Sequence, residues 1–272
     1  MEFRTIVDIP EPGFRIAPCE QMLFVGSCFA DSIGTRFREE GFPVTVNPYG
    51  TMYNPASILH TIERWKAEQA DREVKTVFLT LGTNHVYRLK ETGEIVDNCE
   101  KRPAALFQEK ALSVDACADY LTQAITLLRQ MNPDVRIVLT VSPIRYRKYG
   151  YHGSQLSKAT LLLALGEICV QPCSSVSYFP AYEIVNDELR DYRFYASDML
   201  HPSQQAVDYI WERLVDAYFS LEAKTFLEEW RPLKQTLAHK PFDPDSETYK
   251  ALMDKTMLKI EELREKYPTF AL

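Results

Sequence analysis

Gly26-Ser27-Cys28 presents a hydroxyl and a thiol side by side, directly after the apolar run 21–26. Much later in the chain, Asp198 and His201 stand three residues apart. Between these two places lie Gly50, the stretch Gly82-Thr83-Asn84-His85, and Ser142-Pro143. A nucleophile, a peptide N–H at a glycine, an amide donor and a carboxylate–imidazole pair are the components of acyl transfer.

The residue types suit that chemistry for physical reasons. A thiol or hydroxyl at a helix start sits beside unpaired backbone N–H groups and the positive end of the dipole, which favours an anionic nucleophile and a later oxyanion. Gly26 permits a sharp turn there. Asp198 can hold one imidazole nitrogen of His201 so that the other serves as base. The Asn84 amide and the Gly50 N–H are candidate oxyanion donors, each such donor being worth about 3 kcal/mol of barrier. Taken singly, each motif also has a plain reading: Gly-Ser as turn and helix cap, Gly82-Thr83-Asn84 as a turn. Their weight comes from their order and from falling at one sheet edge.

Apolar runs at 21–26, 44–46, 75–81, 136–141 and 175–179 read as strands. Helical stripes at 30–40, 54–67, 115–131, 154–167 and 203–219 alternate with them. Near-continuous apolar strands are those buried on both faces, so the pattern predicts a mainly parallel five-stranded sheet between two helical layers, an α/β/α sandwich over residues 1–219. Chemistry in such sheets gathers at the carboxyl ends of the strands. The segment 87–107 is weakly patterned and reads as a hairpin or excursion around Glu91-Thr92-Gly93. Residues 220–272 read as a helical extension, with Tyr249, Leu252, Met253, Met257, Ile260 and Leu263 on one apolar stripe that should pack on the sandwich or on a second subunit.

Composition narrows the function classes. With 12% aromatics and 46% hydrophobic residues the chain is not mainly disordered. A net charge of −7 disfavours duplex nucleic acid as a partner. No apolar run reaches the length of a membrane helix and the first residues lack a signal-peptide layout, so no membrane partner and a cytoplasmic location are expected. The six cysteines form no CxxC pair, and Cys169 and Cys173 read as core thiols. No histidines share a short metal spacing, so neither metal nor cofactor is expected. His60 and His239 read as surface residues. Cys99, within Asn98-Cys99-Glu100, reads as a structural thiol. His85 is a candidate substrate contact. His152, Gln155 and Lys158 either touch substrate or cap a helix. Arg145-Tyr146-Arg147-Lys148-Tyr149 is the one basic-aromatic run, either a solvated loop or a contact for an anionic substrate or a coenzyme A phosphate.

Gly26-Ser27-Cys28-Phe29-Ala30 resembles the signature of the GSCFA family, and the stretches from His152 to Lys158 and from Asp191 through His201-Pro202 resemble it too. That family is grouped with the SGNH (GDSL-like) esterases. The resemblance implies the three-layer sandwich and the roles of Gly50, Gly82, Asn84, Asp198 and His201 in an SGNH site. The departure is at the nucleophile, where SGNH enzymes carry Gly-Asp-Ser. In that register Cys28 falls on the attacking serine and is preferred, with Ser27 the alternative. The expectation is a hydrolase of a small acyl ester such as an O-acetyl group, on a small molecule or saccharide. Acyl transfer to a saccharide, with acyl-coenzyme A as co-substrate, or a non-catalytic carbohydrate-binding or scaffold protein are the alternatives. The sequence leaves the oligomeric state open.

Overall fold

Each continuous apolar run becomes a strand and each stripe a helix in the computed structural model, which describes residues 3–69, 72–99, 101–169 and 174–272. The chain opens with β1 (Met22–Gly26), α1 (Cys28–Glu39), β2 (Val44–Val46), α2 (Pro55–Glu68) and β3 (Thr76–Leu81). Three short strands follow, β4 (His85–Leu89), β5 (Ile95–Val96) and β6 (Phe107–Ala111), then α3 (Val114–Met131), β7 (Arg136–Val141) and α4 (Gly150–Ile168). The sandwich closes with β8 (Val176–Tyr178), α5 (Ala181–Glu183) running into a π-helical stretch Ile184–Leu189, and α6 (Gln204–Tyr218). Helices α7 (Leu221–Ala238) and α8 (Glu247–Lys266) complete the chain.

The five long-range strands form one parallel sheet in the order β2-β1-β3-β7-β8. The chain changes direction of travel across the sheet between β1 and β3, the place where open α/β sheets form a crevice at the strands' carboxyl ends. Alternation along the strands divides the core. Met22 and Phe24 face one layer with Phe37, Trp211 and Phe226, and Phe24 stacks on Phe78 with centroids 4.6 Å apart. Leu23, Val25, Val77, Leu79 and Leu139 face the layer of α2, α3 and α4. Every residue of β1 and β3 is buried, whereas the edge strand β2 is only half-buried.

The segment after β3 is a separate antiparallel sheet, β5-β4-β6, rather than a single hairpin. Helix α4 begins at Gly150, ahead of the expected 154, continuing from a 3-10 turn at Arg147–Tyr149. Phe226, Trp230, Ile260, Leu263 and Phe270 join the same core cluster as Phe24, so α7 and the second half of α8 pack on the sandwich. The stripe on α8 is covered only in part: Ile260 and Leu263 are buried, while Leu252 and Met257 are 44% and 41% exposed. Among the described residues no helix is long and apolar enough to cross a membrane. Cys173 and Glu100 lie outside the described residues.

Candidate active site

The turn from β1 into α1 is fixed from several directions. Gly26 has φ +146, and a Cβ there would meet the Thr80 carbonyl oxygen at 2.1 Å, so the close approach of β3 demands glycine. Asn47 Oδ1 accepts from the Gly26 N–H at 2.9 Å while its Nδ2 donates to Asp31 at 2.8 Å. The Ser27 N–H donates to both the carbonyl and the hydroxyl of Thr80 at 3.0 Å.

Ser27 and Cys28 differ in burial and in partners. Ser27 is the N-cap of α1: it is 1% exposed, its hydroxyl accepts from the Phe29 N–H at 3.3 Å, and it lies 3.2 Å from the Thr80 hydroxyl. Cys28, the first helical residue, is half-buried, and its Sγ lies 3.4 Å from the Tyr53 hydroxyl. The amides of Gly26, Ser27, Phe29 and Ala30 all donate within the protein, and that of Cys28 has no partner among the described residues. Burial raises the Tyr53 hydroxyl pKa, with the hydrogen bond to Cys28 adding to it, so Tyr53 stays a proton donor.

At the other end of the site, Asp198 closes a tight turn. Its Oδ1 accepts from the N–H groups of Leu200 and His201 at 2.9 and 3.0 Å, and its Oδ2 lies 2.5 Å from His201 Nδ1. The His201 N–H first, then the Leu200 N–H and the imidazole, hold the Asp198 carboxyl down to about 2. An ionised carboxylate accepts only, so Nδ1 carries the proton and Nε2 keeps its lone pair. The loop after β7 steadies this turn: the Arg145 N–H donates to the Leu200 carbonyl at 3.0 Å and its guanidinium to that of Met199 at 3.2 Å.

Ser27, Cys28 and His201 all line one cavity of about 330 Å³, together with Tyr53, Gly82 and Tyr146. No hydrogen bond joins the thiol to the imidazole, and sites without substrate commonly tighten only on binding. The structure does not bring Gly50 or Asn84 to this cavity. Gly50 is exposed and its N–H donates to the Asn47 carbonyl at 2.9 Å, because the chain uses it to close the turn after β2. Asn84 is buried, and its Nδ2 donates to the Leu112 carbonyl at 2.7 Å, tying β3's exit to the end of β6. His85 stacks on Tyr149 with centroids 3.8 Å apart, neither residue lining the cavity, and its pKa is lowered by burial. His152 is exposed on the first turn of α4 and does not line the cavity.

Sequence reasoning passed over Tyr53 and the role of α4. Ser154, Ser157 and Lys158 form one face of that helix and pin the loops that build the cavity floor. The Ser154 hydroxyl accepts from the Tyr146 N–H at 3.2 Å and that of Ser157 from the Asn84 N–H at 3.0 Å. Lys158, 2% exposed, donates to the carbonyls of Gly82 and Ser142, both at 2.7 Å, and burial pushes its ammonium down to about 7. The one signal was the spacing of 154, 157 and 158, which places three polar groups on one helical face.

Several solved structures are similar at low identity. A lipolytic protein of the G-D-S-L family from Veillonella parvula DSM 2008 is 13% identical, with a TM-score of 0.46 over 73% of this chain and 98% of that one. A carbohydrate esterase family 3 protein from Talaromyces cellulolyticus is 11% identical, with a TM-score of 0.40 over 79% and 98%. A carbohydrate esterase family 2 enzyme from Corynascus thermopiles (Myceliophthora fergusii), which carries a carbohydrate binding domain, is 13% identical, with a TM-score of 0.46 over 74% and 66%. Likeness at this level says nothing about what this chain acts on. No curated protein matches the chain in sequence. The GSCFA family model matches residues 21–74 and 65–214, and that of the GSCFA domain protein, C-terminal domain, matches 230–272. With most of the sandwich inside the first match and α8 inside the second, the chain belongs to the GSCFA family.

Proposed function

We propose that the protein is an esterase of SGNH-like layout that uses Cys28 as its nucleophile. One observation carries this reading: of the two candidates on the cavity that the Asp198-oriented His201 also lines, Ser27 is 1% exposed with its hydroxyl engaged by the Phe29 N–H and Thr80, while Cys28 is the more open. Cys28 Sγ attacks the ester carbonyl carbon and His201 Nε2 takes the thiol proton. The carbon–oxygen bond to the alcohol then breaks, and His201 returns the proton to the departing oxygen. Water attacks the resulting thioester, its proton passing to His201, and the thiol is restored as the acid leaves. The unpartnered Cys28 N–H and the Tyr53 hydroxyl are the donors nearest the developing oxyanion. Hydrolysis is favoured over transfer because the Asp198 and His201 side chains are 44% and 45% exposed, open to water.

The test is turnover of p-nitrophenyl acetate by Cys28→Ala and Ser27→Ala proteins. Cys28→Ala is expected to abolish turnover. Ser27→Ala keeps the chemistry and loses about 1 kcal/mol of stability with its cap. Loss of turnover in Ser27→Ala with retention in Cys28→Ala overturns the assignment.

A further inference from the structure

The cavity wall carries charge of one sign. Arg145, Arg147 and Lys148 line it beside His201, and no carboxylate does, in a chain whose net charge is −7. Lys148 is answered by Glu109 at 2.9 Å. Arg145 has no ion pair among the described residues: its guanidinium reaches the Met199 carbonyl and the faces of Tyr151, Tyr195 and Tyr192, 4.2, 5.4 and 6.0 Å from their centroids. Among the described residues Arg147 has neither an ion pair nor a hydrogen bond. Lys158 lies beneath the floor, and α1 presents its N-terminus to the same space. Fixed cations without counter-charges around a recess focus a positive potential there. A cavity of about 330 Å³ is at the small end of ligand sites, so a group bound in it cannot lie far from these guanidiniums.

We propose that the cavity takes an ester bearing an anionic group, a carboxylate or phosphate, seated against Arg145 and Arg147 while the ester carbon lies at Cys28. Guanidinium forks match both anions in bidentate geometry, and burying an anion there satisfies donors that are otherwise left to solvent. The ester part of this proposal rests on the hydrolase reading above; the anion seat does not.

The test separates the two. Cys28 is alkylated with iodoacetate and with iodoacetamide, and the rates are read on the Cys28 peptide by mass spectrometry. A free thiolate reacts faster with the neutral reagent. Here iodoacetate is expected to be faster by roughly tenfold through electrostatic attraction. That preference should shrink in Arg147→Gln and in about 0.5 M KCl, where screening is strong. Succinate and inorganic phosphate, added separately as protectants, tell a carboxylate seat from a phosphate seat. In parallel, mono-4-nitrophenyl succinate should be cleaved in preference to 4-nitrophenyl butyrate. If iodoacetamide stays the faster reagent and Arg147→Gln changes nothing, the anion seat is overturned. If iodoacetate is preferred but neither ester is cleaved, the seat stands and the hydrolase reading fails.

Discussion

Replacing Lys158 with Met keeps the length of the side chain and removes the ammonium from beneath the cavity floor. In the wild-type protein burial lowers the Lys158 pKa from 10.5 to about 7. Below pH 7 both folded and unfolded chains carry this proton, so the burial cost is full and independent of pH. Between about 7 and 10.5 the folded chain has released the proton and the unfolded chain still holds it, so stability rises with pH across that window. The limiting slope is about 1.4 kcal/mol per pH unit. Integrated from about pH 6.5 to about pH 9, the gain is on the order of 2.5 kcal/mol. Lys158→Met lacks this gain. It also leaves the Gly82 and Ser142 carbonyls without their donor, a loss of about 1–3 kcal/mol each, which at low pH is offset by relief from burying the charge. Urea unfolding of both proteins at the two pH values is the assay. The wild-type advantage should be small at the lower pH and grow by about 2.5 kcal/mol at the higher. A difference that stays flat refutes the reasoning, because the two carbonyl bonds would then be holding the ammonium at its ordinary pKa.

Three further perturbations probe the turn, the donor and the acid. Gly26→Ala forces a Cβ into the Thr80 carbonyl, 2.1 Å away, and should cost about 2–4 kcal/mol in thermal or urea unfolding; a near-neutral result would mean that β1 and β3 can part. Tyr53→Phe removes the hydroxyl 3.4 Å from Cys28 and should lower kcat for p-nitrophenyl acetate by about tenfold or more, whereas unchanged kcat assigns Tyr53 to packing alone. With the Asp198 carboxyl held at about 2, it stays ionised well below neutral pH, so acid loss of activity above about pH 3 should not come from this carboxylate. Asp198→Asn should lower kcat/KM by about a hundredfold or more at every pH, and a normal rate in that variant would remove Asp198 from the site.

Strands β1, β3 and β7 were legible because burial on both faces writes an unbroken apolar run into the sequence. The small sheet was not, since β4 is half-solvated and only Val86 of His85-Val86-Tyr87-Arg88-Leu89 is buried. The π-helical stretch Ile184–Leu189 has neither a strand nor a helix period to announce it. In sequence Lys158 reads as a substrate contact or a helix cap, and only the strand ends that meet it in space make it a buried donor. Gly50 misled because composition marks a turn without saying which way its amide faces. Here the amide faces back to Asn47, and Tyr53, three residues on, occupies the cavity wall.

The nucleophile shows where one-dimensional reading stops. Ser27 and Cys28 are neighbours with the same claim on paper, a reactive atom at a helix start. At that start, however, the cap residue has extended backbone, with φ −68° and ψ 175°, and turns its side chain back over the first amides. The next residue is the first in helical geometry, and its less buried side chain lies against Tyr53 on the cavity that Ser27 and His201 also line. A one-residue shift is thus the difference between an atom consumed in holding the helix and an atom offered to solvent and substrate. Exchanging the pair, with Cys at 27 and Ser at 28, should put a poor cap under the helix and a hydroxyl where the thiol was. The double variant is therefore expected to be less stable yet to retain ester cleavage, at the slower rate of a less ionised nucleophile. Recovery of full activity with a thiol at 27 would show instead that the chain slips by one residue when substrate binds, and the orientation argument would fall.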